Sequence, residues 1–187
     1  YAVYKEREFT YNNIRQYNRN TLLGEDSSVD GLKTGYTREA GYGLIASAKR
    51  RDMRLVSVVL GTSSPNARKS QSRSLLNYGF RFFETVTLFS TMEELEKPRI
   101  WKGAQDYLAV GVMDEVVLTL PRGKKRKVTT QVEIDEEISA PITQGDKLGV
   151  VKLIVDGEIV HETALLALET VEPAGFFARL WDVVLMW

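Results

Sequence analysis

The chain has 187 residues, 43% of them hydrophobic, enough for one or two domains with cores of their own and too apolar for a disordered chain. Its 25 Lys and Arg balance 25 Asp and Glu, so no bulk field favours nucleic acid or acidic substrates, and any electrostatic function is local. The lack of cysteine excludes thiol nucleophiles, Cys-type zinc sites and disulfides; the single histidine, His161, excludes a His-rich metal site and is the one residue a Ser-His-Asp triad would have to use.

Tyr1 opens the sequence without a leader-like charged and apolar start, so the chain reads as a piece of a longer one. FTYNNIRQ, residues 9 to 16, sets an Asn-Asn pair between strand-like flanks and predicts a hairpin. Residues 41 to 61 predict two strands joined by the polar turn Lys49 to Asp52, and their apolar runs LIASA and LVSVVL predict strands covered on both faces. Ser64 followed by Pro65 predicts a helix start. The helix is expected to turn Ala67, Leu75 and Leu76 inward and to end near Asn77, with Gly79 as terminator and Phe80, Phe82 and Phe83 packing after it. Residues 1 to 86 thus read as an α/β or α+β fragment.

Between Glu84 and Arg99, charges and a proline with little to bury mark a boundary. From Ile100 to about Leu168, DEVVLTLPRG, KVTTQVEI, LGVVKLIV and EIVHETALLAL predict a small antiparallel sandwich or barrel, assigned to residues 87 to 169. Asp156-Gly157 is its strongest hairpin signal. Residues 170 to 187 form a tail. Wound as a helix, its Phe176, Phe177, Leu180, Trp181, Val184 and Trp187 share one face, with Arg179 and Asp182 opposite. The tail is short of the roughly 20 apolar residues that span a bilayer and suits a helix lying at headgroup level, or one docked on its own domain.

Within VDGLKTGYTREAG, residues 29 to 41, Lys33 offers a compact cation, Thr34 a short hydroxyl, and Gly35 a bare strand edge. That set suits capture of a carboxylate and strand-like pairing with a peptide, though a surface lysine beside a turn glycine would look the same. Together with YNRNTLL (17 to 23), VDGLKTGYTREAGYGLIASA (29 to 48), MRLVSVVLG (53 to 61) and LLNYGFRFFETV (75 to 86), the motif resembles the serine D-alanyl-D-alanine carboxypeptidases, the low-molecular-mass penicillin-binding proteins. The likeness runs in order along essentially the whole chain.

The resemblance implies an α+β fragment closing a penicillin-binding, β-lactamase-like transpeptidase domain, then an all-β sandwich-like domain and an amphipathic C-terminal helix. It implies that Lys33 aids proton movement beside a catalytic serine, that Thr34 and Gly35 meet the terminal carboxylate and backbone of D-Ala-D-Ala, and that the Tyr36 backbone N–H is an oxyanion-hole donor. Related enzymes often carry histidine where Tyr36 stands. Arg19 and Arg68 resemble arginines bordering the carboxylate pocket; their alternatives are a loop charge and a first-turn helix charge. The implied partners are peptidoglycan pentapeptide stems, β-lactams, the membrane surface, an upstream part of the same domain and a second copy through domain exchange; no cofactor, metal or nucleic acid is implied. The implied location is the periplasmic face of the bacterial inner membrane.

One departure is decisive. The family's S-x-x-K is absent: Ser47 precedes Arg50 and Ser64 precedes Ala67 at that spacing. Ser64-Pro65-Asn66 spells the family's S-x-N but lies downstream of Lys33, where a helix cap explains it better. The chain alone is therefore expected to hydrolyse nothing. Rival readings are a non-catalytic spacer, membrane anchor or interaction module, and a β-lactamase-like or endopeptidase activity at the same site. His161 reads as a surface or edge histidine, Arg122 to Lys127 as the solvated tip of a hairpin rather than a lipid or wall-polymer contact, and Glu133 to Glu137 as an exposed turn.

Overall fold

Asn12 and Asn13 turn the chain with φ of 49° and 60°, a left-handed pair that asparagine tolerates, and join β1 (Glu8–Tyr11) to β2 (Ile14–Tyr17) as the expected hairpin. The structure, a computed structural model, describes residues 1–175, in one unit spanning Tyr1–Thr85 and a second beginning at Val86. The tail residues Phe176, Phe177, Leu180, Trp181, Val184 and Trp187 lie outside the described residues. The stretch just before them is not helical: Val171 and Pro173 sit in isolated bridges to Ile142 and Gly103.

In the first unit a short helix α1 (Leu22–Glu25) buries Leu22 and Leu23. Strands β3 (Val29–Thr37), β4 (Gly41–Arg50) and β5 (Met53–Thr62) form an antiparallel sheet with β4 central. Helix α2 (Pro65–Phe82) packs on this sheet, joining Leu76 and Phe80 to Leu44, Ala46, Ala48 and Met53 in one core. Covering of both faces does not hold for β5. Val56, Val58 and Leu60 are 55%, 57% and 74% exposed, because period two turns Ser57 and Val59 toward α2 and these three to the opposite face.

The start of α2 follows its sequence: Ser64 Oγ accepts the Ala67 N–H at 3.1 Å, and Pro65 occupies the first turn, where its missing N–H costs nothing. Its course differs. The inward stripe is Arg68, Ser72, Leu76 and Phe80, spaced by four, which leaves Leu75 half exposed. Gly79 does not end the helix, which continues to Phe82. A Cβ there would lie 2.4 Å from Leu55 Cδ1, so this glycine serves the close approach of helix and sheet. The Ser72 hydroxyl is fully buried without a hydrogen-bond partner among the described residues. Ser72→Ala removes that desolvated group and improves helix propensity, so urea unfolding should show a gain of about 1 kcal/mol; a clear loss would mean the hydroxyl is bonded.

The second unit contains β6 (Phe83–Phe89, begun in the first unit), β7 (Glu93–Glu96), β8 (Val110–Val112), β9 (Val116–Pro121), β10 (Val128–Ile134), β11 (Lys147–Val155) and β12 (Glu158–Ala167). One sheet has the order β10-β11-β12-β8-β7, and β6 pairs with β9. Phe89, Leu108, Val110, Val116, Val151, Leu153 and Leu165 share their core. The stretch Glu84 to Arg99 therefore has more to bury than its charges advertise: it carries β6 and β7, with Phe89 in the core and Leu88 and Leu95 against it.

Asp156 and Gly157, at φ of 51° and 89°, make the expected turn between β11 and β12. Lys124–Lys127 is a 3-10 turn that carries the chain from β9 to β10, strands of different sheets, so it is a crossover and not a hairpin tip. Asp156 accepts from both Lys124 and Lys127 there. Glu133 lies in β10 and pairs with Lys152, while Asp135 to Glu137 are exposed. His161 faces Leu153 across the β11–β12 register and is half-buried.

Candidate active site

Alternation along β3 divides the Lys-Thr-Gly motif between two faces. Thr34 opposes Leu44, whose side chain is buried in the core beneath α2, and Tyr36 opposes Tyr42 on the same side. Lys33 opposes Ile45, itself paired with Val58, and so emerges on the face of the sheet opposite α2. Its ammonium donates to the Thr34 carbonyl at 2.7 Å. β3 is an edge strand, and backbone groups two residues apart point the same way, so the Tyr36 N–H shares the side on which the Thr34 carbonyl is engaged. A Cβ at Gly35 would meet nothing within 4 Å: packing does not demand glycine there, and its absence of a side chain keeps the edge open.

Beside this edge is a cleft of about 430 Å³ lined by Arg19, Thr34, Gly35, Tyr36, Tyr42, Pro65 and Arg68. Five of the residues singled out in the sequence meet there; Lys33 is not in its lining. Tyr42 and Pro65 were missed. Tyr42 was accessible from the tight β3–β4 hairpin, whose register sets it opposite Tyr36.

Arg19 is presented by the asparagines flanking it. Asn20, 2% exposed, donates to the Gly31 carbonyl at 3.1 Å and accepts the Leu22 N–H at 3.3 Å, while Asn18 Oδ1 accepts the Asn20 N–H at 2.9 Å. With its neighbours fixed, Arg19 stays exposed and without an ion pair among the described residues. Arg68 is 6% exposed and donates to three carbonyls, those of Gly35 at 3.1 Å, Gly43 at 3.3 Å and Arg19 at 3.4 Å. It thus ties together β3, β4 and the Arg19 loop, a positioning role that a first-turn helix charge would not have. Burial lowers its pKa below the ordinary arginine value, and the nearby Arg19 charge acts in the same direction. Two cations face a cleft whose lining holds no acidic residue, which is the electrostatics of an anion site.

A second network holds the start of β3. Asp30 receives Arg54 at 2.8 Å and the Tyr1 hydroxyl at 2.9 Å, and Arg54 also donates to the buried Ser47 Oγ at 2.6 Å. The Arg54 guanidinium, helped by Tyr1 and Ser47 against the cost of burial, lowers the Asp30 carboxyl from 3.8 to about 2. A depressed carboxylate adds stability above its unfolded pKa and loses it as pH falls through the folded one, here between about pH 4 and pH 2. Screening at this partly exposed pair leaves about 1 kcal/mol. Urea midpoints at pH 5 and pH 2.5 should therefore fall more for the parent chain than for Asp30→Asn; equal falls would contradict the pairing.

Two family models match the chain: that for D-alanyl-D-alanine carboxypeptidase over residues 1–64, and that for the penicillin-binding protein 5 C-terminal domain over residues 83–173. The D-alanyl-D-alanine carboxypeptidase DacC of Escherichia coli K12 is 42% identical over 188 residues, covering 100% of this chain and 47% of its own length. DacA of the same strain is 39% identical over 186 residues, covering 98% and 46%. The crystal structure of penicillin-binding protein 5 from Haemophilus influenzae superposes with a TM-score of 0.84 at 36% identity, covering 91% of this chain and 51% of that one. The fold is thus of the penicillin-binding type, built mainly of β sheets and carrying a penicillin-binding protein 5 C-terminal β domain. Along nearly its whole length the chain is thus similar to the D-alanyl-D-alanine carboxypeptidases. It spans about half the length of the curated relatives it matches.

Proposed function

We propose that these residues serve a serine D-Ala-D-Ala carboxypeptidase that trims the terminal D-alanine from peptidoglycan pentapeptides and is acylated by penicillin. They would contribute the Lys-Thr-Gly wall, while the S-x-x-K nucleophile, absent from the 187 residues, is supplied by another segment. The observation that carries this reading is the cleft in which Thr34 and two arginines, without a lining carboxylate, adjoin the open edge at Gly35. The substrate would lie along β3 with its terminal carboxylate on Thr34, Arg19 and Arg68. The serine oxygen adds to the penultimate carbonyl, and the Tyr36 N–H receives the developing oxyanion. The C–N bond then breaks, D-alanine leaves with a proton, and water cleaves the acyl-enzyme. Lys33, reaching the same edge from the other face, would move the proton at the serine.

Our reading puts this activity at the periplasmic face of the inner membrane, and what supports it is the sequence pattern of Phe176, Phe177, Leu180, Trp181, Val184 and Trp187, which would share one apolar face at headgroup level if wound as a helix. Flotation on anionic liposomes tests this: removing residues 172 to 187 should abolish binding, and equal binding by both forms would sink the anchor. The catalytic reading is tested by joining this chain to the portion of DacC that it does not cover. The fusion should label with fluorescent penicillin and release D-alanine, the chain alone should do neither, and Lys33→Ala should silence the fusion. A folded fusion that stays unlabelled would overturn the reading. Rapid penicillin turnover without D-alanine release would favour a β-lactamase-like activity.

A further inference from the structure

The second unit leaves one of its strands half paired. β12 has 10 residues and is matched by β11 from Glu158 to Leu166, but on its other side β8 reaches only Leu166 and Ala167. After Val112 the chain leaves this sheet through Met113, Asp114 and Glu115 and enters β9, which pairs with β6 instead. Where a longer β8 would have run there is a cleft of about 290 Å³, walled by residues 112–117 on one side and by His161, Thr163, Ala164 and Leu166 on the other. Every wall residue lies within the span 83–173 that matches the C-terminal domain model. The Leu168 N–H donates to the Ala109 carbonyl, and backbone groups two residues apart point the same way, so those of Ala164 and Glu162 are directed to the open side. A β-bulge between His161 and Ile159 ends the regular edge, which leaves Glu162 to Leu165 as the stretch a further strand can join.

Alternation gives this slot two faces. Leu165 is wholly buried in the second core together with Val112 and Val116, and Thr163 shares its face, whereas Glu162 and Ala164 lie on the other. A strand laid here would set alternate residues against Val112 and Val116 and the ones between them beside Glu162. Asp114, Glu115 and Glu162 are exposed and have no ion pair among the described residues, Glu115 accepting only from the Thr87 hydroxyl at 2.8 Å. No lysine or arginine lines the cleft.

We propose that this slot docks an extended peptide segment of another protein, one in which apolar residues alternate with lysine or arginine, added to β12 in the antiparallel direction of β8. Main-chain bonds to Glu162 and Ala164 set the register, the apolar residues meet Val112 and Val116, and the three carboxylates choose a basic segment over an acidic one.

The test titrates acetyl-Lys-Val-Lys-Val-Lys-amide and acetyl-Glu-Val-Glu-Val-Glu-amide into the chain and follows its assigned amide resonances. The lysine peptide should shift Glu162, Ala164 and residues 112–117 and bind at least about ten-fold tighter than the glutamate peptide. Residues opposite Glu162 and Ala164 share their face and turn their N–H groups to β12, so N-methylating the three lysines should cost about ten-fold or more, and N-methylating the valines much less. Glu162→Lys, at an exposed position, should narrow the basic-over-acidic preference about 3-fold to 10-fold. Ala164→Pro, which removes an N–H on the open side only, should weaken both peptides. Binding should be the same in the fusion with the uncovered portion of DacC. Equal affinity for the two peptides, indifference to lysine methylation, or loss of binding in the fusion would overturn the proposal. Binding that needs removal of residues 176 to 187, or a dimer of the chain that Ala164→Pro splits, would put the tail or a second copy in the slot and overturn it as well.

Discussion

Arg68→Leu should destabilise the chain by about 2 to 4 kcal/mol in urea unfolding and cost at least about ten-fold in affinity for a carboxylate ligand, because one side chain serves both ends of the site. Its guanidinium satisfies the carbonyls of Gly35, Gly43 and Arg19, which leucine would leave desolvated and unpaired. Arg68→Lys should recover little. A lysine keeps the charge, but its single ammonium cannot span three carbonyls placed around a planar fork. An Arg68→Leu chain as stable as the parent would show that the carbonyls find other donors and that Arg68 does not position β3.

Gly111→Ala should be still more damaging, by about 3 kcal/mol or more, through backbone crowding. A Cβ on Gly111 would stand 1.9 Å from the carbonyl oxygen of Glu93, the residue before its register partner Glu94 on β7. A backbone carbonyl cannot swing aside as a side chain does, so β7 must part from β8, whose Val110 and Val112 are buried in the second core. Hydrogen exchange should show the amides of β7, β8 and β12 losing protection together. Gly123→Ala is the contrasting case: no atom lies within 4 Å of its Cβ position, but its φ is 83°, so it should cost only about 1 kcal/mol of backbone strain. Equal costs for the two substitutions would mean that contact and conformation have been wrongly separated.

Local chemistry was what the sequence made legible. The Asn12-Asn13 and Asp156-Gly157 turns and the Ser64-Pro65 helix start depend on a few adjacent residues, and all three stand where those residues predict. Features decided by distant neighbours were not legible. The run LVSVVL reads the same whether a strand is covered once or twice, and only the packing of α2 on one face leaves Val56, Val58 and Leu60 exposed. Gly79 looks like a helix stop unless Leu55 is known to lie against it. At the site, the residue types and their order pointed to the cleft, and the period of two along β3 already separates Lys33 from Thr34 and Tyr36. The three-carbonyl embrace of Arg68 has no sequence signature, since it joins residues up to 49 positions apart.

The central claim is that β3, Arg19 and Arg68 form a wall that reads a terminal carboxylate. It is tested most directly by following the assigned amide resonances of the chain as acetyl-D-Ala-D-Ala is added. Shifts should concentrate at Thr34, Gly35, Tyr36 and Arg68, weaken with added salt, and vanish when the ligand's carboxylate is replaced by an amide. Equal shifts with the amide ligand, or shifts confined to residues outside this cleft, would contradict the account.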